Sequence, residues 1–176
     1  LQAGIHQKDG MVLERLTGTP QGGVISPLLA NIYLHVVFDK WMQINFPDKP
    51  FERFADDVVV HCKTEKQAKF VLKMIQKRMT ACKLTLHPVK TKLINLTGIT
   101  KNKYPRKFDY LGYTFKPLWS KTKKGFRLMI APVMSVKSRS SVLEKLRDLH
   151  IHKMRCKIEE IANKLNPILR GVINYY

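Results

Sequence analysis

Ten residues decide the fold of this chain: Phe51-Glu52-Arg53-Phe54-Ala55-Asp56-Asp57-Val58-Val59-Val60. Apolar residues flank two adjacent carboxylates, which predicts a β-hairpin with Asp56 and Asp57 at its turn. Two acids at an apolar turn repel each other, and a divalent cation would relieve that repulsion. Mg²⁺ is typically bound by one or two carboxylates together with substrate phosphates. Because Asp is also common in ordinary turns, the pair alone leaves a purely structural turn open.

Helices are predicted on both sides of this hairpin. Upstream, Ser26 is a candidate cap before Pro27, and seven apolar residues follow at helical spacing: Leu28, Leu29, Ile32, Tyr33, Val36, Val37 and Trp41. Asp39 falls within that helical register, and we assign it to a solvated face. Downstream, Thr64 can cap a helix over 65–83, with a buried stripe of Ala68, Val71, Leu72, Ile75 and Met79. These patterns predict a small antiparallel sheet backed by two helices.

The rest of the chain reads as further short elements. A hairpin is predicted around Asp9-Gly10. The later pattern predicts strands over 84–86, 92–96, 108–115 and 126–130, with Gly125 in the turn before the last of them. After Ser135 it predicts two helices, and Asn166-Pro167 marks a break and a new helix start.

Charge is the strongest feature of the composition. The net charge is +19, and residues 87–127 hold eleven Lys or Arg and a single acid, Asp109. A field of this sign favours polyanions. Aromatic residues interleave with the bases, and aromatic planes can stack on nucleic-acid bases while cations neutralise phosphates. We therefore expect nucleic-acid binding by Lys121, Lys123, Lys124 and Arg127, with a solvated basic loop as the alternative.

Other site classes find little support in the sequence. No apolar run approaches the roughly 18 residues of a membrane span, so no membrane partner is expected. The three cysteines, Cys62, Cys82 and Cys156, are far apart and form no CxxC pair. We expect reduced, buried thiols in a cytoplasmic protein, with neither a zinc site nor a disulfide framework.

Four blocks follow one another in a specific order: Thr19-Pro20-Gln21-Gly22-Gly23-Val24-Ile25-Ser26-Pro27, Phe54-Ala55-Asp56-Asp57, Leu86-His87-Pro88-Val89-Lys90-Thr91 and Tyr110-Leu111-Gly112-Tyr113. Their order and spacing resemble the C-terminal motifs of reverse transcriptases encoded by bacterial and organellar group II introns. The letters of the first block disfavour retron and diversity-generating enzymes. Residues 165–176 resemble the start of the thumb, or maturase, region of the same family.

This resemblance implies a fold and a division of the chain. The fold class is α+β: a reverse-transcriptase palm, with an antiparallel sheet backed by helices, over residues 1–132, and the start of a helical thumb or maturase domain over 133–176. It also implies that Asp56 is a ligand shared by two catalytic Mg²⁺ ions, with Asp57 beside it. Lys90 would lie near the departing pyrophosphate, where it could neutralise charge or supply a proton.

The resemblance assigns the remaining site residues as well. Pro20, Gln21 and Gly22 would lie beside the incoming nucleotide and template, together with Phe54 and Ala55. The primer grip, which holds the primer end against the metals, would be formed by Leu111, Gly112 and Tyr113. A core strand with a bulge at Gly112 is the alternative for this last block.

The implied function is RNA-directed DNA polymerisation from dNTPs, with a DNA primer on an RNA template and a bacterial host expected. A further metal-binding acid of this family comes from an earlier strand, upstream of Leu1. We therefore expect the chain to be a fragment with little polymerase activity of its own. The alternative is a maturase module that binds intron RNA and assists splicing, with its polymerase site unused or absent.

Overall fold

The computed structural model describes residues 5–6, 12–13, 18, 22–97, 104–122 and 125–176. It divides the chain into two units, Leu1–Thr91 and Lys92–Tyr176. The first unit contains, in chain order, β1 (Ile5–His6), β2 (Val12–Leu13), α1 (Ser26–Leu34), a π-helical segment (His35–Asp39), α2 (Lys40–Asn45), β3 (Phe51–Phe54), β4 (Asp57–Val60) and α3 (Glu65–Ala81).

The strand pairs of both hairpins predicted for this unit are present. Strands β1 and β2 pair antiparallel, with Ile5 opposite Leu13, whereas their Asp9-Gly10 turn lies outside the described residues. Strands β3 and β4 pair antiparallel, with Phe51 opposite Val60 and Phe54 opposite Asp57. The acid pair therefore falls where the alternation of the sequence predicts it.

The core of the first unit lies between the helices and the acid-tipped hairpin. Its buried side chains are Val37, Phe38, Met42, Val71, Ile75 and Met79, and Phe51 and Val60 of the hairpin pack against them. The buried face of α3 is confirmed, since Val71, Ile75 and Met79 are three of its five predicted positions. The predicted cap is also confirmed, because Thr64 Oγ1 accepts a hydrogen bond from the Gln67 backbone N–H at 3.2 Å.

Of the seven apolar residues at helical spacing in the first predicted helix, only Val37 is buried. The structure buries Val37, Phe38 and Met42, whereas an apolar row on the preceding turns is exposed: Ile25, Leu28, Ile32 and Val36, here called the α1 apolar face. Segment 35–39 has the wide π-helical turn, in which the Lys40 N–H bonds to the His35 carbonyl. Such a turn holds an extra residue and rotates the helix face that follows it. A prediction made at constant helical period cannot include that rotation.

The start of this helix differs from the prediction in one further detail. Ser26 lies inside α1 and is buried, and Ile25 occupies the cap position without a side-chain hydrogen bond. The Ser26 backbone N–H instead bonds to the Gly23 carbonyl at 3.1 Å. The loop backbone thus takes over part of the role predicted for the serine hydroxyl.

The second unit contains β5 (Phe108–Tyr110), β6 (Tyr113–Thr122), β7 (Gly125–Met134), α4 (Val136–Asp148), a 3₁₀ turn (Ile151–Lys153) and α5 (Ile158–Tyr175). The strands form one antiparallel sheet in the order β5-β6-β7. The long pair β6–β7 is paired from Tyr113 opposite Met134 to Thr122 opposite Gly125. The predicted strand over 126–130 and the predicted helix after Ser135 are both confirmed.

The predicted strands over 84–86 and 92–96 are wrong, because both segments are irregular. Lys83 is in the left-handed region at φ +58°, and the Leu84 N–H bonds back to the Met79 carbonyl at 2.9 Å. This is the hydrogen bond of a Schellman helix end, which commits residues 83–84 to terminating α3. Further on, Asn95 Oδ1 accepts the Thr97 N–H at 3.0 Å, so a local side-chain turn competes with a strand.

The predicted break at Asn166-Pro167 is also wrong, since α5 runs without interruption through Pro167. Half-buried apolar residues recur along α5 on both sides of the proline: Ile161, Leu165, Ile168, Leu169 and Val172. Partial burial of this continuous stripe favours an uninterrupted helix and opposes the loss of the hydrogen bond that proline removes from a helix interior.

Candidate active site

The acid hairpin presents Asp56 and Asp57 to solvent. Its loop consists of Ala55 and Asp56, and Ala55 adopts the left-handed conformation at φ +52°. Cross-strand partners share a face of a sheet, so Phe54 and Asp57 lie on the face opposite the one that Phe51 and Val60 turn toward the core. Both carboxylates are exposed, and no residue within the described ranges donates a hydrogen bond to either of them. The tip is therefore open to a ligand.

Arg53 holds this loop through hydrogen bonds to its backbone and to neighbouring side chains. Its Nε donates to Asp39 Oδ1 at 2.7 Å and its Nη2 to Asp39 Oδ2 at 2.6 Å, a bidentate pair. Its Nη1 donates to Asn31 Oδ1 at 2.8 Å and to the Ala55 carbonyl at 2.9 Å. One guanidinium thus joins α1, the π-helical segment and the acid loop, and the planar fork of arginine suits such multiple contacts.

The assignment of Asp39 to a solvated face is wrong. Its side chain is 13% exposed and that of Arg53 is 11% exposed, so the ion pair is largely buried. The hydrogen bonds from Arg53 hold the pKa of the Asp39 carboxyl below its usual value, although burial acts in the opposite direction. His35 Nδ1 lies 3.1 Å from Asp39 Oδ2 and extends the network by one residue.

A signal for this pair was present in the sequence. Arg53 follows Phe51 by two residues, so both belong to the same face of β3, and that face is turned toward the core. A charge on the inner face of a strand needs a buried partner of opposite sign. Asp39 is the single acid between Pro27 and Phe46 and was therefore the obvious candidate.

The predicted nucleotide-binding loop is described only in part. Gly22 is exposed and adopts φ +86°, and no atom of the described residues lies within 4 Å of the position that a Cβ would take. This conformation is one that glycine adopts without strain. Pro20 and Gln21 lie outside the described residues.

Lys90 lies exposed in the turn that follows α3. His87 organises this turn: its Nδ1 accepts the Val89 N–H at 3.2 Å, and its carbonyl accepts the Thr91 N–H at 2.9 Å. The described contacts include none between Lys90 and the acid pair, so its predicted role near the pyrophosphate stays a prediction.

The Leu111-Gly112 segment forms the loop of a second hairpin, between β5 and β6. One continuous strand over 108–115 was predicted, and that is wrong. Leu111 is at φ +49° and Gly112 at φ +79°, which is the pattern of a type I′ turn. The sequence hid this turn, because the first position of such a turn usually carries Asn, Asp or Gly rather than leucine.

Both carbonyls of this loop accept hydrogen bonds from the helices that follow. Tyr175 Oη donates to the Leu111 carbonyl at 2.9 Å. The Gly112 carbonyl accepts from the Ser135 N–H at 2.9 Å and from Ser138 Oγ at 3.0 Å. The start of α4 and the end of α5 therefore converge on one two-residue loop.

The contact is closed by aromatic rings. Tyr113 stacks on Tyr175 with ring centroids 5.7 Å apart, and the Tyr113 hydroxyl donates to the Tyr175 carbonyl. A Cβ on Gly112 would stand 2.8 Å from Tyr176 Oη and 3.1 Å from Ser138 Oγ, so only glycine fits without displacing a neighbour. Sequence reasoning missed Ser138, Tyr175 and Tyr176, since no local pattern links positions more than twenty residues apart.

The predicted basic surface is carried by the β6–β7 ribbon. Lys121 pairs across the ribbon with Phe126, and Ser120 pairs with Arg127. Lys121 and Arg127 are exposed, whereas Lys123 and Lys124 lie outside the described residues.

Few other features of the described residues bear on chemistry. Within them, no group of three or more His, Cys, Asp or Glu side chains comes together as a metal site. The three cysteines are free, and burial raises the pKa of the Cys62 thiol. A helix with the length and apolar character needed to cross a membrane was not found in the described ranges.

Comparison with protein families produces two matches. Residues 5–115 match the family model described as reverse transcriptase (RNA-dependent DNA polymerase). Residues 139–176 match the model described as group II intron, maturase-specific domain. The first match includes the acid hairpin, the Lys90 turn and the Leu111-Gly112 loop, and the second includes most of α4 and all of α5. No curated protein matches the chain.

Proposed function

The chain belongs to the reverse transcriptase family and carries the maturase-specific domain of group II introns, and on that premise we propose that it builds the metal-binding half of an RNA-directed DNA polymerase site. The reaction is nucleotidyl transfer from dNTPs to a DNA primer on an RNA template. One observation carries the proposal: Asp56 and Asp57 stand open at a hairpin tip that Arg53 and Asp39 fix from behind.

The donor set at this tip fits Mg²⁺. Two exposed carboxylates supply hard oxygen ligands, and this ion commonly takes one or two of them and fills its other positions with water and substrate phosphates. When bound, such an ion stabilises the attacking and leaving oxygens of phosphoryl transfer. The part of Asp56 and Asp57 is to hold the ion, and the part of Arg53 is to hold their loop. A site for two ions requires a further carboxylate beside this pair.

Three further roles complete the proposal. Lys90 is placed on an exposed turn from which a flexible ammonium can reach a phosphate. Gly22, with Pro20 and Gln21, forms the loop beside nucleotide and template, where its missing side chain allows close approach. The Leu111-Gly112 loop holds the primer end, and its hydrogen bonds to α4 and α5 fix its position.

A second function, intron-RNA binding in splicing, is favoured by the maturase-specific match over 139–176. The two functions are compatible, because the residues proposed for catalysis and the maturase segment occupy different parts of the chain. We accordingly propose a boundary near residue 132, with a palm before it and a thumb after it. The ends of the two family matches, at residues 115 and 139, support a boundary in this region.

The decisive experiment is primer extension by the intact polymerase that contains this chain, with Mg²⁺, dNTPs and a primed RNA template. Asp56→Ala removes a metal ligand, and a loss of roughly 3–4 kcal/mol of transition-state stabilisation lowers the rate about a hundredfold to a thousandfold. Glu52→Ala is the matched control, because it removes another exposed carboxylate from the same hairpin. We expect that control to stay within about threefold, as surface substitutions usually do.

The same variant separates the two functions. Asp56→Ala is expected to leave intron-RNA binding and splicing unchanged, since these do not need the metal. Extension at the parental rate by Asp56→Ala would refute the polymerase site. Loss of both extension and splicing with a folded protein would refute the division of roles.

A further inference from the structure

The outer half of the β6–β7 ribbon carries two large aromatic side chains in solvent. Trp119 is 70% exposed and Phe126 is 74% exposed. Trp119 pairs with Leu128, and Phe126 pairs with Lys121. Paired residues, and residues two apart on one strand, share a face, so these four side chains lie on one face of the ribbon. We call Trp119, Lys121, Phe126 and Leu128 the ribbon face.

Aromatic residues near the base of the same ribbon are used differently. Phe115 stacks on Phe108 with ring centroids 5.1 Å apart, and Tyr113 stacks on Tyr175. Among the described residues, no ring stacks on Trp119 or Phe126, although the sequence continues to place aromatic rings toward the tip. Single exposed apolar residues are common on protein surfaces, but two rings sharing one face with a lysine form a pattern.

The two strands that form the ribbon carry charge of one sign only. Residues 113–134 contain five Lys or Arg and no Asp or Glu. Such a surface attracts polyanions, and the exposed Lys121 lies on the ribbon face itself. An anionic partner that also offers flat apolar surfaces to two rings is a nucleic acid with unpaired bases, because paired bases are enclosed within a helix.

We propose that the ribbon face is a stacking platform for the unpaired bases of a single-stranded nucleic acid. Trp119 and Phe126 are diagonal cross-strand neighbours, at a spacing of roughly 7–8 Å, which is close enough for one strand to contact both rings. Stacking of a base on an aromatic side chain contributes roughly 1–3 kcal/mol and tolerates any base. Lys121 neutralises a phosphate of the same strand. This proposal adds a binding surface to the proposed function. It rests on that function, which supplies the nucleic-acid strand.

Binding to the whole 176-residue chain tests this without polymerisation. The chain has two tryptophans, so Trp41→Phe leaves Trp119 as the sole indole reporter. Addition of a short oligouridylate to that variant is expected to quench the Trp119 fluorescence, as a base stacked on the indole would do. An abasic strand of the same length offers the same phosphates without bases and should quench it much less.

Affinity measurements then compare stacking with charge. Trp119→Leu should weaken binding of oligouridylate by about 5- to 150-fold, which is the stacking contribution converted to a ratio. Trp119→Phe keeps a ring and should retain most of the affinity. Phe70→Leu is the matched control, because Phe70 is a 58% exposed ring on α3 of the first unit, whereas the ribbon belongs to the second. It should leave the affinity unchanged.

Salt dependence distinguishes the two components. Lys121→Gln should lower the magnitude of the log–log salt slope by about 0.7, the value for one phosphate contact on a single strand. Trp119→Leu should weaken binding at every salt concentration and leave that slope unchanged.

Several outcomes would overturn the platform. Equal loss of affinity by Trp119→Leu for oligouridylate and for the abasic strand would mean that its effect is not on base stacking. An effect of Trp119→Leu confined to anionic phosphatidylserine vesicles would assign the face to a membrane instead. If the parent chain binds oligouridylate and Trp119→Leu binds equally well, the platform fails while the proposed function stands. Absence of binding by the parent chain at low salt would count against the proposed function itself.

Discussion

Two hairpin loops of this molecule have the same length and opposite surroundings. The Ala55-Asp56 loop and the Leu111-Gly112 loop each have a non-glycine residue in the left-handed region, at φ +52° and φ +49°. Within the described residues, the first loop is held by a hydrogen bond from Arg53 to the Ala55 carbonyl, and its carboxylates are exposed. The second is covered, with both carbonyls bonded to hydroxyl or backbone donors of α4 and α5.

The difference teaches how a strained loop is stabilised. A left-handed alanine or leucine costs roughly 1–2 kcal/mol, so contacts elsewhere must compensate for it. In the acid loop, the backbone strain is offset by contacts of Arg53, which forms a largely buried ion pair with Asp39. The carboxylates on the outer side of this loop remain exposed to solvent. In the Leu111-Gly112 loop, the strain is offset by hydrogen bonds that residues of α4 and α5 donate to the loop carbonyls. These bonds attach the loop to the two helices. An open loop suits ligand binding, and a covered loop suits fixed positioning.

The largest expected effect comes from removing the brace of the open loop. Arg53→Ala leaves the Asp39 carboxylate largely buried without its main partner, and removal of one member of a buried pair typically costs about 3–5 kcal/mol. We expect about 3 kcal/mol less stability in urea unfolding of the first unit. Arg106→Ala, at an exposed arginine of the second unit, should change it by less than about 0.5 kcal/mol.

A double-mutant cycle sharpens this result. Asp39→Ala combined with Arg53→Ala should cost clearly less than the sum of the two single changes, because no unpaired charge remains. Strict additivity would show that the ion pair does not hold the loop.

The next effect comes from the covered loop. Gly112→Ala places a Cβ 2.8 Å from Tyr176 Oη and retains a left-handed backbone, and we expect a loss of roughly 2 kcal/mol from strain and displacement together. Gly22→Ala is the matched control, because its φ of +86° imposes a similar backbone penalty in open space. The excess cost of Gly112→Ala over this control, from thermal unfolding, measures the crowding.

The crowding has an identified source that can be removed. Tyr176→Phe deletes the hydroxyl nearest the added Cβ and should recover part of the loss in the Gly112→Ala background. Equal costs at Gly112 and Gly22, with no recovery by Tyr176→Phe, would show that the loop is not covered in solution.

The smallest expected effect is that of pH on the stability contributed by the Arg53–Asp39 ion pair. The pKa of Asp39 is lowered in the folded state, so the unfolded chain binds that proton first as the pH falls. The contribution of Asp39 to stability is fully present above about pH 4 and is lost as the pH falls through its lowered value. The ties of the Leu111-Gly112 loop are made by hydroxyl and peptide groups. Amide hydrogen exchange should therefore show the Ala55 loop loosening before the Leu111 loop on acidification.

The parts of this structure that the sequence predicts depend on local periodicity. The alternation in residues 51–60 locates the acid hairpin, and the spacing of Val71, Ile75 and Met79 identifies the inner face of α3. The predicted roles of Asp56, Asp57, Lys90 and the other site residues remain proposals. They come from the family resemblance and not from periodicity.

What the sequence does not predict depends on contacts between distant residues. The Arg53–Asp39 pair joins a strand to a π-helical turn, and the rotation introduced by that turn has no residue signature in the chain. Leucine at φ +49° is not a turn residue by propensity and is held there by Tyr175, far along the chain. Pro167 lies inside a helix, and the half-buried apolar stripe of α5 continues before and after it along the chain. In each case tertiary contacts override local preference.

The α1 apolar face, together with the high net charge, affects the choice of ionic strength during purification. At low ionic strength the net charge of +19 opposes contact between copies, and the same charge favours binding of nucleic acid from the host cell. Near 1 M salt the screening length falls to about 3 Å, which strips the nucleic acid but lets apolar faces of different copies touch. Purification therefore requires high ionic strength to remove contaminating nucleic acid. It requires low ionic strength to prevent self-association through the apolar faces.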